Sequence, residues 1–410
     1  MKGHVVIAPD KFRGSLTAPQ VVAHVAAGLG RVPVVGLPVA DGGEGTVDAV
    51  VASGFTRVEV EVTGPTGEPV PASYAVRDEP HDAADESTAS PRPGGRVAVI
   101  ELAEASGLRR LPGAPAPLTA TSYGTGELIA HAVRHGATRI VLGLGGSACT
   151  DGGAGMVQAL GARLLDEDGE ELPFGGAALR RLDRIDVSAL AQPAPGDPAG
   201  GGTGVGGVEF VVASDVDNPL LGPYGAAAVY GPQKGASPQD VAVLEKGLAR
   251  LAAVAVHTHG LTGSIEHDGV VRSMGVAGRP GAGAAGGVGF AALAFLGAEI
   301  RPGIGYLLEL LEFDRQVEGA RLVVTGEGSI DEQSLRGKTP VGVAAAAAKH
   351  GVPVVAVCGR RSIGDAELQA VGIEAVYALT DIESDVRRCI AEAGPLLERV
   401  AHTIAATHLP

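Results

Sequence analysis

A chain of 410 residues suggests two domains, and 45% hydrophobic residues suffice for sizeable cores, although aromatics reach only 3% and Trp is absent. The formal net charge of −15 argues against a nucleic-acid partner, which would call for a basic patch. Cys149, Cys358 and Cys389 form an odd, sparse set that suits a reducing, cytoplasmic compartment better than a disulfide framework.

From the N-terminus, His4–Ala8 reads as a short apolar strand, too short for a signal peptide and ended by Asp10. Val21, Val22, Val25, Ala26 and Leu29 recur at helical spacing, and Val34–Val39 reads as a second strand. Thr46 is placed to cap a helix through Val47, Val50 and Val51. Thr56–Val62 alternates Val with charged residues, as a half-exposed strand does. Asp78–Arg96 is polar and reads as a loop or insertion, and Val97–Leu102 as a strand. Gly124–Arg134 has a helical apolar face, Thr138–Leu144 is a buried strand, and Gly153–Leu165 reads as a further helix. Gln192–Gly207 is rich in Pro and Gly; Val208–Ala213 is a strand and Val241–Val254 a long amphipathic helix. Pro280–Ala298 carries no charge, but its six glycines and late apolar side chains favour a Gly-rich loop leading into a buried helix over a membrane span. Arg321–Thr325 and Val352–Val357 read as strands around a helix at Val341–Lys349. Strands alternating with helices predict parallel sheets covered on both faces.

Of six polar or Gly-rich segments, several follow predicted strands, where ligands of open parallel sheets bind. The first, Asp10-Lys11-Phe12-Arg13-Gly14-Ser15, offers a carboxylate, two cations and a hydroxyl, or simply a helix start capped by Ser15 or Thr17. In Asp41-Gly42-Gly43-Glu44-Gly45, two carboxylates among glycines can converge on a cation or a hydroxyl proton, or form an acidic turn. Gly143–Gly155 runs from a strand into a helix. There Gly145, Gly146 and Ser147 can meet an anion, while Asp151 can hold Mg²⁺ or act as a base. Asp215, Asp217 and Asn218 are followed by Lys234 in a Tyr-Gly-Pro-Gln-Lys-Gly run. Gly281 and Gly283 belong to a literal G-x-G-x-x-G that lacks a convincing preceding strand, which argues against a dinucleotide site. Glu327, Asp331 and Lys338 lie in Thr325–Pro340. Its Gly337-Lys338-Thr339 resembles the end of a Walker A motif, but position 332 is Glu where the motif needs Gly.

Taken together, APDKFRGSL, ADGGEGTVDA, TSYGTGELI, GLGGSACTDGGAGMVQALGA, DVDNPLLG, YGPQKGAS, PGAGAAGGVG, AFLGAEI and TGEGSIDEQSLRGKTPVGVA resemble, in order and over nearly the whole chain, the bacterial glycerate kinase family of the 2-phosphoglycerate-forming type. The resemblance implies an α/β protein with a flavodoxin-like domain built from both chain ends, about 1–70 plus 290–410, and a second α/β domain inserted at about 71–289. It implies ATP, Mg²⁺ and D-glycerate as ligands. There are departures. Lys11 stands where the family usually has Ser, Arg13 replaces Lys, and Cys149-Thr150 replaces Thr-Asn. Ser329 stands where Arg is common, so that residue's role is not carried over. The stretches near His81 and Gly201 look like surface insertions.

Phosphoryl transfer asks mainly for positioning and charge stabilisation. On that basis Asp41, Glu44, Asp151 and Asp215 are candidates for catalysis, with Asp151 and Asp215 also candidates for Mg²⁺. Asp10, Lys11, Arg13, Ser15, Gly145, Gly146, Ser147, Asn218, Lys234, Gly281, Gly283, Glu327, Asp331 and Lys338 are candidates for holding phosphate or substrate. The carboxylates are not ranked by sequence. Alternatives are a kinase of a related hydroxy acid, a hydrolase using Ser147, or an organic-acid sensor. The hydrolase is weakened because Gly145–Cys149 lacks the last Gly of G-x-S-x-G.

Overall fold

The computed structural model describes residues 3–79, 95–190, 204–259, 264–267, 270–273 and 275–409. The expected insertions around His81 and Gly201 lie outside these residues. The chain divides into two compact units, Met1–Phe55 with Pro302–Pro410, and Thr56–Arg301. It opens the first unit with β1 (His4–Pro9) and β2 (Val34–Gly36). It then forms the second through β3 (Thr56–Thr63), β4 (Pro69–Glu79), β5 (Gly95–Glu101), β6 (Ala137–Gly143), β7 (Arg163–Leu165), β8 (Arg184–Asp186), β9 (Glu209–Ala213), β10 (Ser264–His267), β11 (Val270–Ser273) and β12 (Glu299–Arg301). It returns to the first with β13 (Ala320–Ile330), β14 (Val354–Arg361) and β15 (Ala375–Ala378).

In the first unit one parallel sheet has the order β15–β14–β13–β1–β2. This is the flavodoxin-like arrangement, and the order reverses between β1 and β13, the position where such sheets bind ligands. Pro9 lies opposite Gly326 at the carboxyl end of that pair. Val5, Val6, Ile7 and Ala8 are wholly buried, so both faces are covered and the strand reads as a continuous apolar run. Helices Ala18–Leu29 and Ala393–His408 share a core in which Val21, Val25 and Leu29 join Leu396, Leu397 and Val400. Thr17 starts the first of these helices with a capping box to Gln20. Gly28 permits the close approach: a Cβ there would lie 2.3 Å from the Glu398 carbonyl oxygen.

The second unit's main sheet has the order β12–β9–β6–β5–β4–β3. β5, β6, β9 and β12 run parallel, whereas β4 is antiparallel to β5 and β3 to β4. Its core draws on Ile100, Leu128, Ile140, Leu142, Met156, Val212, Leu248 and Phe290. Three local expectations change. The segment read as a helix over Gly153–Leu165 is helical only at Ala154–Ala159, and Arg163–Leu165 is β7, antiparallel to β8. Gly161, at φ 102°, makes the break, and the Ala162 N–H turns back to the Val157 carbonyl at 2.9 Å. Gly45, in left-handed geometry, occupies the cap position expected of Thr46, whose Oγ1 instead donates to the Gly43 carbonyl at 2.6 Å. The strand expected at Val34–Val39 ends at Gly36. The uncharged segment near Pro280 becomes helix Ala284–Phe295, interrupted by left-handed Ala285, Gly286 and Gly287. Among the described residues no helix is long and apolar enough to cross a membrane.

Candidate functional site

The six segments form two groups of three, one at the carboxyl ends of the strands in each unit. In the first unit, β1 ends in Asp10, whose N–H reaches the Gly326 carbonyl at 2.8 Å, and β13 brings Glu327 alongside. After β2 the chain stays on the same edge: the Leu37 and Val39 N–H groups donate to the Ile7 and Pro9 carbonyls, which delivers Asp41 and Glu44 there. Asp10 accepts from its neighbour's N–H at 2.6 Å, pairs with the Lys11 ammonium at 3.5 Å, and accepts from Thr339 Oγ1 at 3.4 Å. Asp41 accepts from the Gly43 N–H, which folds its loop into an Asx turn. Ser15 Oγ donates to the Phe12 carbonyl and closes a turn, while Arg13 is exposed. Gly328 lets β13 pass this loop: a Cβ there would lie 3.0 Å from the Arg13 nitrogen.

Burial dominates the electrostatics of this group. It pushes the Asp10 carboxyl up to about 6, against the pull of Lys11 and with the help of Asp41. It pushes Glu327 up to about 7; a Ser334 hydrogen bond and Lys338 pull downward, and Asp10 and Asp331 push upward. Ser334 was not among the candidates. Its Oγ donates to Glu327 Oε1 and accepts from the Asp331 N–H at 3.1 Å. Only its place in the polar loop after Glu327 hinted at this. Lys338 stands at the start of helix Thr339–Ala348 and donates to Gln333 at 3.4 Å.

In the second unit, the loops after β6 and β9 meet the Gly-rich segment near Gly283. Gly283 N–H donates to the Asn218 carbonyl and Gly152 N–H to the Gly286 carbonyl. Cβ atoms on Gly281 and Gly286 would meet Val216 O at 3.2 Å and Cys149 O at 2.2 Å. These glycines therefore serve backbone packing. Gly146, at φ 75°, turns the loop so that the Gly146 carbonyl accepts from the Leu108 N–H. Lys234 is 1% exposed, and its ammonium donates to Ser147 Oγ at 2.8 Å and the Cys149 carbonyl at 2.5 Å. Burial holds that ammonium below its ordinary range. Ser147 is thus tied to a sealed lysine, and among the described residues no histidine is bonded to it, so the hydrolase reading gains no triad there. Asn218 is also committed, donating to the Tyr224 carbonyl and accepting from the Tyr230 hydroxyl.

Asp151 is wholly buried. Oδ2 accepts from Ser122 N–H and Oγ at 2.8 Å, Thr121 Oγ1 at 3.5 Å and Gly155 N–H at 3.2 Å, while Oδ1 accepts from Gly153 N–H at 3.0 Å. Five donors enclosing one carboxylate suit an anchor for the loop and do not fit Mg²⁺, which demands open coordination positions. Asp215 is exposed on the loop after β9 and offers an oxygen ligand of the kind Mg²⁺ takes, although among the described residues no three His, Cys, Asp or Glu side chains gather to hold a metal.

Comparison with known proteins agrees along the full length. The model of the "Glycerate kinase family" matches residues 5–409. A Bacillus subtilis protein named glycerate kinase is 41% identical, covering 98% of this chain and 97% of its own. An Escherichia coli glycerate 2-kinase is 40% identical with the same coverage. A crystal structure described as glycerate kinase 2 from Salmonella typhimurium superposes with a TM-score of 0.77 at 37% identity, covering 99% of this chain and 98% of that one.

Proposed function

The chain belongs to the glycerate kinase family, and on that premise we propose that it transfers the γ-phosphoryl group of ATP to the 2-hydroxyl of D-glycerate. The observation that carries this reading is the set of charges at the β1/β13 switch point, where Asp10, Asp41 and Glu327 accompany Lys11 and Lys338. A small hydroxy acid needs cations for its carboxylate and an acceptor for its hydroxyl proton, and this set supplies both. Lys11, Arg13 and Lys338 are assigned to anionic groups. Sequence from opposite ends of the chain supports the reading, because β1 and β13 are neighbours only in the folded sheet.

Mg²⁺ supplies neutralisation of the phosphates and alignment of the leaving group. Asp215 is the residue assigned to it, and Asp151 is assigned to holding its loop. Three free, buried cysteines suit a reducing, cytosolic setting. The choice of the 2-hydroxyl rests on the kinship with a glycerate 2-kinase. Incubation with ATP, Mg²⁺ and D-glycerate, followed by phosphorus NMR, tests it. The expected product is 2-phosphoglycerate, consumed by enolase without added mutase. A mutase requirement would move the phosphate to the 3-position, and absence of ADP release with several divalent metals would end the kinase reading.

A further inference from the structure

We propose that Glu327 is the general base of the phosphoryl transfer and that Ser334 is the residue that positions it; this rests on the kinase reading above. A base at this centre needs one oxygen held in place and the other open to the substrate. Glu327 has that asymmetry. Oε1 is held by the Ser334 hydroxyl, and Oε2 accepts no hydrogen bond from the described residues. The hydroxyl proton is aimed: the Asp331 N–H donates to the Ser334 oxygen, and of the two acceptors in reach of the hydroxyl, Glu327 Oε1 is much nearer than the Ser329 carbonyl at 3.5 Å. Asp331 is itself fixed by the Gln333 and Ser334 N–H groups, which its Oδ1 accepts at 2.9 and 3.3 Å.

The other carboxylates are less suited. Asp151 has both oxygens committed to donors and no exposure. Asp10 has one oxygen on Lys11 and the other near Thr339. Asp41 also has one oxygen held, by the Gly43 N–H of its own Asx turn at 3.2 Å, but none of the described side chains donates to it as Ser334 does to Glu327. Glu327 sits at the switch point on the longest strand of its sheet, with Asp10 just past the end of β1, Asp331 and Lys338 on the following loop, and Cys358 opposite it on β14. The desolvation that lifts its carboxyl to about 7 places it near neutral working pH, where a general base is most effective.

The step balances as follows. The substrate O–H bond breaks and its proton goes to Glu327 Oε2. The freed oxygen forms the new O–P bond as the bond from the γ-phosphorus to the bridging oxygen breaks, and ADP leaves with that electron pair. Neutral Glu327 then returns its proton to solvent.

The full-length protein is assayed with ATP, Mg²⁺ and D-glycerate from pH 5.5 to 9. The wild type should lose kcat/KM below about pH 7, with one acidic limb. Glu327→Gln, with its melting temperature checked, should lose about 10²–10⁴ in kcat with little change in KM. Ser334→Ala removes a hydrogen bond that favours the charged base, so its acidic limb should move to higher pH, and Ser334→Thr should restore it. A merely structural role for Ser334 would lower activity without moving the limb. A folded Glu327→Gln variant within about tenfold of wild-type kcat would overturn the base assignment while leaving the kinase reading intact. A wild type that never turns over D-glycerate would remove the premise, and both would fall.

Discussion

At the scale of single residues, one buried cation and two desolvated carboxyls behave differently. Among the described residues no carboxylate is hydrogen-bonded to the Lys234 ammonium; it meets a hydroxyl and a carbonyl oxygen. Lys234→Met removes the desolvated charge but strands two acceptors, and should cost about 1–3 kcal/mol, read as a lowered urea midpoint. Asp10 and Glu327 start from 3.8 and 4.5 and rise to about 6 and about 7. Their folded-state values exceed the unfolded ones, so the native state binds protons more tightly than the unfolded chain. Their contribution to stability is therefore full below about pH 4 and is lost as pH rises through 6 and 7. The ligand-free Glu327→Gln variant should gain stability relative to wild type between pH 5 and pH 8. Parallel denaturation curves at the two values check this, and a constant difference would contradict it. Sequence alone marked Glu327 as a ligand candidate. Its acidity is set first by burial, which Ser334 and Lys338 oppose and Asp10, from the opposite end of the chain, assists, and no local pattern reveals that burial.

At the scale of elements, the strands with continuous apolar runs were legible: β1, β6 and β9 lie within a residue of their expected ends, while β13 and β14 run on past theirs, to Ile330 and Arg361, so that Glu327 lies on the strand and not after it. The Ala154–Ala159 helix was overextended because Leu164 is buried in β7 as it would have been on a helix face, so burial periodicity alone cannot separate the two. The glycines in the loops after β6 and near Gly283 looked like a ligand cradle. Several are instead close-packing points between backbones, a distinction visible only once both loops are placed. Gly286 and Gly305 make the contrast measurable. Gly286 has φ 70°, and a Cβ there would lie 2.2 Å from the Cys149 carbonyl. Gly286→Ala should cost about 2–4 kcal/mol through left-handed strain and overpacking. Gly305 sits exposed inside helix Gly303–Leu310 with Pro302 Cβ, at 3.8 Å, as its nearest neighbour. Gly305→Ala should stabilise by about 0.5–1 kcal/mol. Thermal melts of both variants decide whether backbone geometry or glycine count governs these segments.

At the scale of the whole molecule, each unit has its own core, but only Thr56–Arg301 is continuous in sequence. A chain ended after residue 301 should keep slow amide exchange in β5, β6 and β9, while β1, left with only the short β2 as partner, should lose most of its protection. Protection of β1 as strong as in the full chain would contradict its dependence on β13. The pairing also has a history in time. His4 lies opposite Ala320, so the strand made almost first waits for one made in the last quarter. At the usual pace of translation that wait is roughly 15–60 s, during which the apolar Val-Val-Ile-Ala strand has only the short β2 beside it in its sheet. Asp10 and Lys11 leave the ribosome at the outset yet acquire their neighbours Glu327 and Lys338 only near its completion. On the proposed site, premature termination should yield no weakly active fragment: a ribosome that stalls short of β13 releases the second unit attached to a β1–β2 segment that lacks its main partner. On that reading, activity reports that synthesis has passed β13.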